Sequence, residues 1–129
     1  MYLIDSDIII YFLNGRKSER GLLESIKSAT LSTSIICVGE ILEGIFTLKS
    51  KKKLKEFEVF LQGFDIYDID KAVIKRFAVL RAKLRREGNL IDNFDLLIAS
   101  TCIVHNLILV TANISHFKRI SNLKLHFTH

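Results

Sequence analysis

Short apolar runs, each ended by a turn residue or a carboxylate, set the pattern of this chain. Tyr2-Leu3-Ile4 reads as an opening strand, and Ile8 to Leu13 as a helix starting after Asp5 or Asp7. Glu19 to Ser28 fits a second helix; Thr30 to Ser34, rich in β-formers, fits a second strand. Val38, Ile41, Leu42 and Ile45 recur at i, i+3, i+4, i+7, the period of an amphipathic helix, and Leu54 to Leu61 continues as another. Asp65 to Asp68 reads as a strand. Asp70 then caps a long helix with the stripe Val73, Phe77, Leu80 and Leu84, which Gly88 ends. Asp92 or Asn93 caps the next helix, running through Leu97, Ile98 and Ile103 to Asn106, a residue suited to a left-handed C-terminal position. Leu107 to Val110 is a continuous apolar run, as in a strand covered on both faces. Leu123 to Phe127 forms the last strand.

Alternating strands and helices predict an α/β fold: one domain over residues 1–129, with a central, mostly parallel sheet of about five strands flanked by helices. In such sheets the site lies beyond the carboxyl ends of the strands. Asp5 directly follows the first strand, and Thr111 and Asn113 follow the long apolar one. All three therefore belong to that edge.

Composition narrows the class. With 129 residues, 49% of them hydrophobic, the chain can bury a core, and disorder is excluded. There is no proline, linker, repeat or low-complexity tract. Two cysteines, Cys37 and Cys102, lie inside apolar runs; they do not make a disulfide scaffold and read as free thiols of a reducing cytoplasm. The N-terminus shows no basic leader, and no apolar run reaches the roughly 20 residues that span a bilayer, so no membrane is expected. The net charge is +5, with 19 Lys and Arg against 14 Asp and Glu, which favours nucleic acid as a partner over an acidic small molecule. A lysine-rich surface, including Lys51, Lys52, Lys53 and Lys55 on an exposed helix or turn, is the plain alternative.

Against that basic background, Asp5, Glu40, Asp92 and Asp95 stand where apolar runs end. Each has an ordinary explanation. Asp5 and Asp7 can cap the first helix, Glu40 can sit near a helix start where the dipole favours it, and Asp92 can cap the helix that carries Asp95. Asp92 is the better cap and Asp95, between Phe94 and Leu96, the better ligand; Glu43 is expected to be exposed. Together they supply carboxylates from three separated segments. Brought close, these would repel one another, and a divalent cation with a preference for oxygen, Mg²⁺ or Mn²⁺, removes that cost. An acidic pocket on a basic protein points to metal-dependent chemistry on a polyanion.

The same residues resemble the PIN-domain ribonucleases, and within them the VapC toxins of toxin–antitoxin pairs. "YLIDSDIIIYFL" is similar to the family's opening strand, Asp and apolar helix. "STSIICVGEILEGI" resembles its Ser/Thr-rich strand leading to a metal-binding Glu. "LIDNFDLLIASTCIVHNLILVTANISHFKRISNL" resembles its third motif, the most specific of the three. The likeness runs from Tyr2 to about Leu125. It implies a Mg²⁺- or Mn²⁺-dependent endoribonuclease, with Asp5, Glu40 and Asp95 holding the cation and RNA hydrolysed by an activated water. It also implies a homodimer and a cognate antitoxin, whose docking surface could include Ile36 to Leu48 and the lysines beyond. Family members often carry a fourth acid after the fourth strand. Here the positions read Asn113, Ser115 and His116, which leaves Asp92 or Asp7 to compensate, while Thr111 and Asn113 could position a water or a carboxylate.

Arg81 and Arg85 share a helix face and could hold RNA phosphates, or be an ordinary solvated face. Tyr11 and Phe12 are expected in the first helix's packing rather than against a base. His105, His116, His126 and His129 show no zinc spacing, and the last two lie near the fraying end. Two rival readings remain. Asp5-Ser6-Asp7 resembles the Asp-x-Asp of Asp-nucleophile phosphatases, though Ile9 stands where a Thr is expected. The missing fourth acid also allows a non-catalytic RNA- or protein-binding module.

Overall fold

Leu3 and Ile4, neighbours in the first strand, belong to two different apolar clusters. Leu3 pairs in register with Leu109 and Ile4 with Val110. Successive side chains of a strand take opposite faces, so the first pair enters one cluster and the second pair the other. The computed structural model describes residues 1–27 and 29–126. Five short strands form its sheet: β1 (Tyr2–Ile4), β2 (Leu31–Ser34), β3 (Asp65–Tyr67), β4 (Ile108–Val110) and β5 (Lys124–His126). Their order is β3-β2-β1-β4-β5, and every neighbouring pair is parallel. The α/β architecture read from the pattern is the one observed.

Helices α1 (Ser6–Leu13), α2 (Lys17–Ile26), α3 (Ile35–Leu48) and α4 (Lys51–Leu61) contribute to the cluster around Ile4 and Val110, through Ile8, Ile9, Leu23, Ile26, Ile41, Ile45 and Phe57. Helices α5 (Lys71–Arg86), α6 (Asn93–His105) and α7 (Ile114–Phe117) build the cluster around Leu3 and Leu109, through Leu80, Leu84, Leu96, Ile98 and Phe117. Phe57 and Phe117 are wholly buried; such a side chain contributes about 1.5–3 kcal/mol by burial. Among the described residues no helix is long and apolar enough to cross a membrane.

Turn chemistry falls where the sequence places it: Gly88 has φ 72° and Asn106 φ 54°, both left-handed, as helix C-termini favour. Three helix starts differ, and one short helix is not read from the pattern. The second helix starts at Lys17 rather than Glu19. The third begins at Ile35, directly after β2, because Ser34 ends the strand and also caps the helix, its Oγ accepting from the Ile36 amide. The fourth begins at Lys51, so the three lysines occupy its first turn behind the Ser50 cap. The four-residue α7 is too short to show a helical period. Ser28 and Phe127, expected ends of the second helix and last strand, and His129 lie outside the described residues. His126 is in β5, half-buried, with its ring edge-on to Tyr2 at 5.8 Å, rather than at a frayed end.

β1 lies between β2 and β4, so the strand order reverses between β1 and β4. A crevice at such a switch point, beyond the carboxyl ends of the strands, is where open α/β sheets bind ligands. Asp5 leaves β1 there and Thr111 leaves β4 there.

Candidate active site

Asp5 caps α1 through Oδ1, which accepts from the Ser6 amide at 2.8 Å and from the Cys37 thiol at 3.7 Å. Its Oδ2 accepts from the Thr111 hydroxyl at 2.8 Å. Both oxygens are thus fixed, although the residue is only 4% exposed. Burial pushes its carboxyl above the ordinary range; the Thr111 and Ser6 hydrogen bonds oppose this, and the Asp95 charge adds to it.

Glu40 comes from the second turn of α3, past the first turn where a helix dipole acts strongly. The Ser6 hydroxyl donates to its Oε1 at 3.2 Å. Burial and then the Asp5 charge raise its carboxyl. Glu40 is thus not at a helix start, and the dipole benefit expected there does not apply. Among the described residues, ligand atoms of Asp5, Cys37 and Glu40 lie within 4.8 Å of one another. Asp95 stands in the first turn of α6, outside that tight group but close enough for its charge to raise both Asp5 and Glu40. Its own carboxyl is raised by burial, while the His116 imidazole, Nδ1 at 3.3 Å from Oδ2, pulls the other way.

Asp92 is exposed and acts as the α6 cap, accepting from the amides of Phe94 and Asp95; its charge still bears on Glu40 and Asp95. Asn113 is exposed and meets Thr111 through its backbone amide, 3.0 Å from the hydroxyl. Arg81 sits beside the same rim, its Nε donating to Asn93 at 3.0 Å, while Arg85 is exposed one turn on. Tyr11 and Phe12 are half-buried, Phe12 packing on Phe60 at 5.3 Å between centroids.

Two participants carry more weight here than sequence spacing assigned them. Asp7 accepts from the Ala112 amide at 3.1 Å and from Thr111 at 3.5 Å, and burial with the Asp5 charge lifts its carboxyl to about 6. Nothing local to Asp7 announces a partner 105 residues away. Cys37 precedes Glu40 by three residues, hence on one helix face, which was a legible signal. Its thiol, pushed well above its ordinary value by burial and by Asp5, stays protonated and donates.

The PIN domain family matches residues 2–123. The chain belongs to that family. It is 36% identical to ribonuclease VapC2 of Rickettsia felis over 97% of this chain and 96% of the relative. It is 33% identical to ribonuclease VapC1 of Methanocaldococcus jannaschii, covering 95% and 83% of the two chains. Its fold superposes on a solved chain of VapBC2 from Rickettsia felis, bound to a DNA fragment from their promoter. The TM-score is 0.86 at 37% identity, covering 97% and 96% of the two chains.

PIN-domain nucleases are divalent-metal enzymes, and the residues at this edge fit a cation. Asp5, Glu40, Asp95 and Asp7 are linked through their charges, with Asp5 acting on Asp7 and Glu40, and Asp95 acting on Asp5; all four carboxyls are raised by burial. Such a set lowers its own repulsion by holding a hard cation. The Cys37 thiol donates to Asp5, and a hard cation prefers the carboxylate oxygens beside it to a thiol.

Proposed function

We propose that this PIN-domain protein is a Mg²⁺- or Mn²⁺-dependent endoribonuclease and the toxin of a toxin–antitoxin pair. The observation that carries the reading is the closeness of Asp5 and Glu40 beside the switch point between β1 and β4, with Asp95, from a third segment, near enough for its charge to act on both. The VapC names of its relatives supply the substrate class. In this reading Asp5, Glu40 and Asp95 hold the ion, with Asp7 or Asp92 as the further acid. When bound, the cation acidifies a water and offsets charge building on the phosphodiester.

The protein's own part is positioning. Ser6, Cys37 and Thr111 together fix Asp5, and the Ser6 hydroxyl also holds Glu40, so two carboxylates share one anchor. Asn93 tethers Arg81 at the rim, where its guanidinium can take an RNA phosphate. The net charge of +5 draws a polyanion toward an acidic crevice that would otherwise repel it.

The solved relative is a VapBC complex; by that likeness this chain pairs with an antitoxin, and the family resemblance adds a homodimer to the reading. Phe46 and Leu48, 59% and 65% exposed at the end of α3 beside the α4 lysines, suit a partner's apolar segment. Free Cys37 and Cys102 accord with a reducing cytoplasm. The test is cleavage of RNA by the purified protein with Mg²⁺ or Mn²⁺ and with EDTA. Cleavage that needs the cation and is lost in Asp5→Asn and Asp95→Asn is expected. Undiminished cleavage in both variants overturns the assignment.

A further inference from the structure

We infer that His116, one of three candidates for the position where the family often carries a fourth acid, is a positioning residue for Asp95; the inference rests on the metal-site reading above. Each of the three carboxylates has a donor of its own among the described residues. Asp5 receives Ser6, Cys37 and Thr111, Glu40 receives Ser6, and Asp95 receives His116 on Oδ2 at 3.3 Å. His116 is thus the only side-chain donor to the Asp95 carboxylate among those residues. Without it, that carboxylate could rotate about its terminal torsion, which is broad and weakly restrained.

The backbone under His116 is fixed. Its neighbour Phe117 is wholly buried and Ile120, just beyond α7, is 4% exposed, so both ends of this turn are pinned to the core. The imidazole itself is largely solvent-facing, its side chain 57% exposed against 19% for Asp95. A contact kept by an exposed ring on an anchored turn adds little to core stability. Its consequence is to choose which Asp95 oxygen is engaged. A carboxylate that holds a cation is ionised and only accepts, so in that state Nδ1 carries the hydrogen and Oδ2 is the occupied atom. Oδ1 then has no side-chain donor among the described residues and remains available to a cation. Outer partners of this kind orient metal ligands, and their loss typically weakens metal binding about ten- to a hundredfold.

The test measures Mn²⁺ binding to metal-free protein by the electron paramagnetic resonance of free Mn²⁺, with no RNA present. Wild type, His116→Ala, His116→Asn and Asp5→Asn are compared, with melting temperatures in EDTA. Expected are a Kd about ten times weaker or more in His116→Ala and recovery to within about threefold in His116→Asn, whose amide can donate from the Nδ1 position. Melting temperatures of both should match wild type in EDTA. A wild-type Kd in His116→Ala overturns the inference, as does an Asn variant no better than Ala. Wild type that binds no Mn²⁺, or Asp5→Asn that binds it equally well, overturns the metal site itself and the inference with it.

Discussion

The Thr111 hydroxyl lies 2.8 Å from Asp5 Oδ2 and joins residues 106 apart in the sequence. It ties the end of β4 to the end of β1 across the switch point, and its oxygen also accepts from the Asn113 amide. Thr111 is wholly buried, as is the strand residue Val110 before it. One hydroxyl therefore sets both a carboxylate and the turn that leads into α7.

Thr111→Val keeps the shape and removes the hydroxyl. Asp5 Oδ2 and the Asn113 amide each lose a partner, and a buried group left unpaired costs about 1–3 kcal/mol. Thr111→Ser retains the hydroxyl and should stay near wild type. Urea unfolding of the three proteins measures the cost, and metal-dependent cleavage should fall in the Val variant well beyond the Ser one. Equal stability and activity in Val and wild type would show the link to be idle.

Asp5→Asn removes a charge that burial disfavours while keeping an oxygen for the Ser6 amide. In EDTA the variant should melt at or above the wild-type temperature. With Mn²⁺ the order reverses: a site binding at a hundred times its Kd adds about 2.7 kcal/mol, and the variant should gain almost none of it. Thermal melts with and without Mn²⁺ decide. A variant that gains as much as wild type would place the ion elsewhere.

The metal-free protein should lose stability as pH rises through the carboxylate range. Asp7 is raised from 3.8 to about 6 by burial and the Asp5 charge, so between those values the folded state holds a proton that the unfolded state has released. The associated stability is complete below 3.8 and gone above about 6. Asp5, Glu40 and Asp95 shift in the same direction. Asp7→Asn removes one such proton, so the wild-type advantage over it at pH 4.5 should shrink at pH 7.5. Chemical unfolding in EDTA at the two values tests this. An advantage that grows with pH would mean the Asp7 carboxyl is lowered, not raised.

Much of this was legible along the chain because its signals are local. Asp5 ends an apolar triplet, Asn106 and Gly88 take positive φ, and Leu107 to Val110 has the continuous apolarity of a doubly covered strand. What stayed hidden depends on distant partners or lengths below a period. The Asp7 contact with Ala112 spans 105 residues, and α7 has four. The start of α3 was blurred because Ser34 serves both strand and helix, leaving no turn between them. Asp92 was legible as the cap, and it turns its carboxylate back to the first amides; Asp95 was set apart by its place between Phe94 and Leu96.

Arg81 offers the cleanest test of how RNA is held, because its tether and its charge can be removed separately. Asn93 fixes Nε at 3.0 Å, on the helix whose first turn carries Asp95. Arg81→Ala should weaken binding of a single-stranded oligonucleotide by the Asp5→Asn protein, with the cleavage step silenced. It should also lower the slope of log affinity against log salt by about 0.7, the release expected for one phosphate contact on a single strand. Asn93→Ala leaves the charge and frees the side chain, so affinity should fall while the slope stays. Arg85→Ala, on the exposed next turn, should show a smaller loss than Arg81→Ala. Fluorescence anisotropy across a salt series measures all three. Unchanged affinity and slope in Arg81→Ala would remove this helix face from the RNA path and return it to an ordinary solvated surface.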